Sequence, residues 1–118
     1  MKNSKIVKIG YGFLEFDNGI QLYSFHNQDG CENHYLMFGN LNIKDLEELE
    51  FDFSNDNFFE RIEGYGITLK ATNGTSIKIP GYGINNGNWS SNLYLIASDH
   101  KHFGKIYDIS MCQDYYCY

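Results

Sequence analysis

Arginine, proline and long apolar runs are all scarce in this chain. The scarcity of arginine argues against direct binding of nucleic acid. Among the 118 residues the only arginine is Arg61, and 15 acidic residues outnumber 9 basic ones, which gives a net charge of −6. A phosphate backbone is bound through a face rich in arginine and lysine. We therefore expect no direct binding of nucleic acid. A basic protein, such as a nuclease, is a better electrostatic match.

The N-terminal apolar stretch, at residues 6–9, is too short for a signal peptide or a membrane span. Three cysteines are present, and an odd number cannot all pair within one chain. Disulfides are also rare in the cytoplasm, where thiols stay reduced. The sequence therefore predicts a cytoplasmic protein with reduced thiols and no membrane partner.

Alternation of apolar and polar residues dominates the chain, which is typical of strands with one buried face. Asn18-Gly19 and Asn73-Gly74 each separate two such runs. Asn-Gly is a strong signal for a tight hairpin, because both residues tolerate positive φ. Asn42 is a good N-cap for one short helix. We predict a single compact domain over residues 1–118, α+β but predominantly antiparallel β, with two Asn-Gly hairpins and one short helix.

The chain is rich in aromatic residues, with ten tyrosines, nine phenylalanines and one tryptophan. A core of this size cannot bury them all, so several must lie on a surface or at an interface. Gly-Tyr-Gly occurs at residues 10–12, 64–66 and 81–83. We interpret the first two as bends beside strands. Pro80 is expected to end a strand just before the third.

The polar segment 81–92 is the strongest candidate for a recognition surface. Glycine lets a backbone approach a ligand, asparagine and serine supply adaptable hydrogen bonds, and tyrosine and tryptophan supply flat contact area. These properties suit a protein surface or the stacking of a nucleotide base. The alternative is a long connection that needs asparagine and glycine for its geometry alone. The predicted binding residues are Tyr65, Tyr82, Asn85, Asn86, Asn88 and Trp89.

Cysteine and histidine suggest a metal site. Cys31 and His34 have ligand-like spacing, and Cys112 and Cys117 could complete a tetrahedral zinc site if the C-terminal end folds back. A structural zinc ion is thus the candidate cofactor. The alternative is a buried Cys31 with His26 bonded to backbone carbonyls. A Cys31 nucleophile with a histidine base would lack an orienting third group, so we predict that the protein is not an enzyme.

Residues 46–63 interleave acidic side chains with phenylalanines. Such a segment can dock on a basic protein through its charges and apolar anchors. It can equally bury its phenylalanines in the core and leave its carboxylates in solvent. We favour the second interpretation, because large apolar side chains are usually buried.

Three segments together resemble a known family. They are His26-x-Gln28-Asp29-x-Cys31-Glu32, the third Gly-Tyr-Gly with its Asn-Gly and Ser-Ser continuation, and residues 107–113. They resemble small phage- and prophage-borne domains of unknown function that are marked by an H-x-Q-D-C-C-E sequence. Gly30 stands where the family carries the first cysteine of the pair. The likeness extends over residues 22–114 and implies an accessory protein of a mobile element in a host cytoplasm.

Small acidic phage proteins include inhibitors of host defence. Some, such as anti-CRISPR proteins, bind a nuclease and block its nucleic-acid path, and others form oligomers that sequester nucleotide signals. By this analogy of class, the resemblance implies a non-catalytic inhibitor of a host defence protein, with an acidic and aromatic binding surface. An oligomeric nucleotide sponge is the first alternative, and an enzyme that uses Cys31 is the second.

Overall fold

The computed structural model describes residues 3–27, 33–62, 66–84 and 92–110, which form two antiparallel β-sheets. The elements in chain order are β1 (Ser4–Ile9), β2 (Phe13–Phe16), β3 (Gln21–Phe25), β4 (Asn33–Leu36), a 3-10 turn (Phe38–Asn40), α1 (Ile43–Leu46), β5 (Glu50–Phe51), a second 3-10 turn (Asp56–Phe58), β6 (Phe59–Arg61), β7 (Gly66–Leu69), β8 (Ile77–Ile84), β9 (Tyr94–Ser98) and β10 (Gly104–Asp108). The larger sheet has the order β10-β9-β3-β2-β1-β5, and the smaller has the order β4-β8-β7-β6. The predicted class, α+β and predominantly antiparallel β, is confirmed.

Local sequence signals explain the hairpins and the helix. Gly19 adopts a φ of 89° and donates its N–H to the Phe16 carbonyl at 3.0 Å, which closes the turn between β2 and β3. The second Asn-Gly lies in the connection between β7 and β8, which pair with each other. Asn42 caps α1, because its side chain accepts a hydrogen bond from the Lys44 N–H at 3.0 Å. Both hairpins and the N-cap are confirmed, but the second connection runs over residues 70–76 and Gly74 has no positive φ, so the tight turn is confirmed only at Gly19.

Pro80 lies inside β8, so the prediction that it ends a strand is wrong. Its carbonyl accepts the Met37 N–H at 2.9 Å, one residue beyond the last residue of β4. Opposite residues in such a pair exchange both backbone hydrogen bonds, so the N–H that proline lacks would face Met37, beyond the end of β4. A strand tolerates proline where no ladder partner is lost. As a result β8 continues through the third Gly-Tyr-Gly and pairs it with β4.

The two sheets share one buried apolar cluster. Phe51 and Phe53 have no exposed surface, and Phe58 is 3% exposed. The Phe53 ring lies edge-on to Phe16 of β2, with centroids 4.7 Å apart, and 4.8 Å from Phe58. Residues 46–63, which we call the acidic and aromatic segment, thus anchor the core through their phenylalanine rings. The structural interpretation of this segment is confirmed for the residues that the structure describes.

Asp99 organises the turn between β9 and β10. Its Oδ1 accepts hydrogen bonds from the backbone N–H groups of Lys101, His102 and Phe103, at 2.8, 2.8 and 2.9 Å. Backbone donors stabilise the ionised form of a carboxyl group. The N–H of Phe103 is the main cause that lowers the Asp99 pKa from 3.8 to about 2.

We expect Asp99→Ala to lower the melting temperature at pH 7. A carboxylate whose pKa is lower in the folded state contributes stability above its unfolded pKa, here 3.8, and loses it as pH falls through about 2. The variant should therefore also lose less stability than the wild type across that window. Circular dichroism melts at several pH values measure both effects. Equal acid sensitivity of the two proteins would contradict this role of Asp99.

Candidate functional site

Tyr11 lies at the tip of the hairpin that joins β1 and β2. The turn is tight, since the Gly10 N–H donates to the Phe13 carbonyl at 2.9 Å. The Phe13 ring packs directly on Gly10, where an added Cβ would come within 2.1 Å of its Cε1. Despite this well-packed support, the Tyr11 side chain is 89% exposed. The hairpin therefore presents a large aromatic side chain to solvent from a fixed backbone.

Two further tyrosines face each other across the smaller sheet. Tyr35 of β4 and Tyr82 of β8 are directly opposite in register, and their ring centroids lie 5.1 Å apart with a tilt of 34°. Their neighbours His34 and Leu36 on β4 are buried. Because side chains alternate between the faces of a strand, Tyr35 and Tyr82 lie on the face away from the core.

Tyr35 lies between Tyr11 and Tyr82, and we call these three residues the tyrosine surface. Partial burial raises the pKa of Tyr35, and the nearby hydroxyls of Tyr11 and Tyr82 raise it further. Tyr11 and Tyr35 together line two cavities, of about 130 Å³ and 350 Å³. The surface is thus a set of three neighbouring phenol rings with indentations between them.

Tyr11 also lines an open groove of about 720 Å³. Its walls run from Val7 on β1 to Ile43, the first residue of α1. Immediately after Ile43, the exposed side chains are mostly acidic, at Asp45, Glu47 and Glu48. These carboxylates follow a wall residue of the groove in the sequence, whereas the one charged side chain that lines the groove is Lys8.

The structure places only some of the sequence-predicted binding residues. Tyr82 is part of the tyrosine surface, but it lies in a paired strand and not in a loop. Asn85, Asn86, Asn88, Trp89 and Tyr65 lie outside the described residues. Sequence analysis missed Tyr11, which we interpreted as part of a bend, and Tyr35. The available signal was the repeated Gly-Tyr-Gly, two copies of which supply a tyrosine to this surface.

His34, the one predicted metal ligand that the structure describes, is 2% exposed. Its ring lies edge-on to His26, with centroids 4.7 Å apart, and His26 Nδ1 is 2.5 Å from the Asn92 carbonyl oxygen. Cys31, Cys112 and Cys117 lie outside the described residues. Within residues 3–27, 33–62, 66–84 and 92–110, no three His, Cys, Asp or Glu side chains form a group that could hold a metal ion. The zinc site stays a prediction from the sequence.

Comparisons with protein-family models, with curated proteins and with solved structures find no match to this chain. In the part of the chain that the structure describes, no helix is long and apolar enough to cross a membrane. The fold and the site together define a class, a β-rich domain with one exposed tyrosine and two half-buried tyrosines adjoining it.

Proposed function

We propose that this chain is a non-catalytic binding protein that acts by contact with another protein, and the tyrosine surface carries the proposal. Tyr11 is 89% exposed on a tightly packed hairpin, next to the paired rings of Tyr35 and Tyr82. A tyrosine ring provides a large contact area and loses little side-chain entropy on binding. Residues that dominate binding energy at interfaces are enriched in tyrosine.

The charge of the chain indicates a basic partner. The net charge is −6, and the acidic residues Asp45, Glu47 and Glu48, which come soon after Ile43 in the sequence, are exposed. Complementary charge accelerates association and selects among partners. The resemblance to phage-borne domains supports a nuclease of host defence as the partner. If the chain occupied the path that nucleic acid takes through the nuclease, it would inhibit cleavage without catalysing a reaction of its own.

A protein partner is favoured over a nucleotide by the cations available at the site. Of the described residues that line the three cavities around Tyr11, only Lys8 carries a positive charge. Its Nζ lies 5.8 Å from the centre of the Phe13 ring. Phosphate groups are usually held by several lysine or arginine side chains. The tyrosine surface therefore offers rings on which a base could stack, but few positive charges to neutralise a phosphate group.

Co-elution with purified defence nucleases tests the proposal. We expect the chain to form a complex with at least one basic nuclease and to inhibit its cleavage when present in excess. A parallel arm measures melting temperatures with cyclic nucleotides, because a ligand at about 100 times its dissociation constant adds ~2.7 kcal/mol of stability. A nucleotide shift without nuclease binding, or no binding of either kind, would contradict the proposal.

We expect Tyr11→Ala to weaken binding of the nuclease partner by about 30-fold, because truncation of an interface hot spot costs about 2 kcal/mol or more. Tyr11 is exposed, so the free energy of unfolding should change by no more than about 0.5 kcal/mol. Titration of fluorescently labelled nuclease measures the affinity, and urea unfolding measures the stability.

Two variants serve as controls for Tyr11. Tyr11→Phe keeps the ring and should keep most of the affinity. Tyr23→Ala removes a tyrosine from the outer face of the larger sheet, and it should leave the affinity unchanged. If Tyr11→Ala binds as tightly as the wild type, the tyrosine surface is not the site of contact.

A further inference from the structure

An apolar row crosses the larger sheet on the side away from the core. Phe13 of β2 lies opposite Tyr23 of β3, Tyr23 lies opposite Ile96 of β9, and Ile96 lies opposite Ile106 of β10. Directly opposite residues point to the same face of a sheet. The neighbours Leu14, Leu22 and Ala97 are buried in the core, which places the row on the outer face. The row ends at Ile106, which is 69% exposed.

Among the strands that the structure describes, β10, which carries Ile106, is an edge of the larger sheet. The Ile109 N–H donates to the Leu93 carbonyl at 2.8 Å. Because hydrogen bonding alternates along an antiparallel ladder, Lys105 and Tyr107 direct their backbone groups at β9. The backbone groups of Gly104, Ile106 and Asp108 therefore point away from the sheet. An edge strand of this kind is a template for another strand.

We propose that β10 pairs antiparallel with β10 of a second copy of this chain, with the twofold axis at Ile106. Ile106 would then lie opposite Ile106 of the second copy, and Gly104 opposite Asp108. The apolar row would continue without a break into the same row of the second copy. This surface is separate from the tyrosine surface, and the inference does not rest on the proposed function.

The charges of β10 favour this register. Lysine on an edge strand normally discourages strand pairing. Here Lys105 Nζ is 2.8 Å from Asp56 Oδ1, which also accepts the Tyr107 hydroxyl at 2.8 Å. In the proposed register Lys105 faces the neutral Tyr107 of the second copy. A two-residue shift in one direction would place Lys105 opposite Lys105, and like charges directly opposite are destabilising. The shift in the other direction would place Ile106 opposite Asp108, which interrupts the apolar row.

One contact limits how far the pairing can extend. Arg61 Nη1 of β6 donates to the Asp108 carbonyl at 3.2 Å, at one end of this edge. The pairing is therefore centred on Ile106 and short. A short strand pair buries less area than a standard stable interface, so the dimer should be weak and depend on concentration.

Sedimentation equilibrium tests the inference with the full chain. The wild type should approach twice its monomer mass as its concentration rises from about 1 µM to about 1 mM, a range that reveals weak dissociation constants. Ile106→Lys and Ile106→Glu should each weaken the dimer by about tenfold or more, because each places like charges on the twofold axis. An equimolar mixture of the two should dimerise again. Ile106→Thr, neutral and β-branched, is the matched control and should remain closer to the wild type.

Ile106→Pro separates strand pairing from other modes of association. Proline removes the N–H that points away from the sheet and leaves the hydrogen bonds to β9 in place. The variant should be monomeric and should keep the far-ultraviolet circular dichroism of the wild type. A wild type that is monomeric at every concentration, charge variants that do not recombine in the mixture, or a proline variant that still dimerises would each overturn the inference.

Discussion

Gly66→Ala is expected to lower the free energy of unfolding by about 3–5 kcal/mol, because backbone strain and overpacking act at the same residue. Gly66 begins β7 with a φ of 134°, in a region that is essentially restricted to glycine. An added Cβ would lie 2.4 Å from the Ile79 carbonyl oxygen and 2.9 Å from the Pro80 Cα. These are backbone atoms of the neighbouring strand, so they cannot rotate away.

Gly19→Ala is the matched control, since Gly19 also has a positive φ, of 89°, but an added Cβ there would meet nothing within 4 Å. Strain alone should cost about 1–2 kcal/mol at this position. Urea unfolding of both variants measures the difference. Equal losses of stability, or a Gly66→Ala protein as stable as the wild type, would contradict the close packing of β7 on β8.

Phe53→Ala is expected to cost about 3–5 kcal/mol of unfolding free energy, the usual range for loss of a buried phenylalanine. Phe53 has no exposed surface and contacts the rings of Phe16 and Phe58. It follows Asp52, whose pKa is lowered by hydrogen bonds from the Ser54 hydroxyl and N–H. A ring that fills the core thus alternates with a carboxylate that stays ionised at the surface.

Phe25→Ala makes the same chemical change where the side chain is 50% exposed. Its cost should be well below that of Phe53→Ala, about 1 kcal/mol, the centre of the range for single substitutions. Chemical denaturation compares the two variants directly. If Phe53→Ala were no more costly than Phe25→Ala, the acidic and aromatic segment would not be an anchor of the core.

Features set by neighbouring residues could be predicted from the sequence. The tight turn at Asn18-Gly19 needs only one residue that tolerates positive φ between two alternating runs. The N-cap at Asn42 needs only a side-chain acceptor two residues before an N–H. Burial of Phe51 and Phe53 follows from their size and from their alternation with acidic residues. In each case the physical cause lies within a few residues of the effect.

The tyrosine surface could not be predicted, because it depends on strand pairing between distant segments. Tyr35 and Tyr82 meet only because β4 pairs with β8, and no hairpin signal encodes that pairing. Pro80 also obscured it, since proline normally marks the end of a strand. Pro80 is tolerated inside β8 only because β4 ends before the residue that the missing N–H would face. Tyr11 joins the other two through the packing of the β1–β2 turn on the rest of the molecule.

Amide hydrogen exchange of the chain, alone and saturated with a nuclease that it is found to bind, tests the central claim most directly. If the tyrosine surface is the site of contact, exchange should slow at residues 10–13 and in the β4–β8 pair around Tyr35 and Tyr82. The β9–β10 turn at Asp99 should exchange as in the free protein. Protection confined to that turn, or no protection with any nuclease, would contradict recognition through the tyrosine surface.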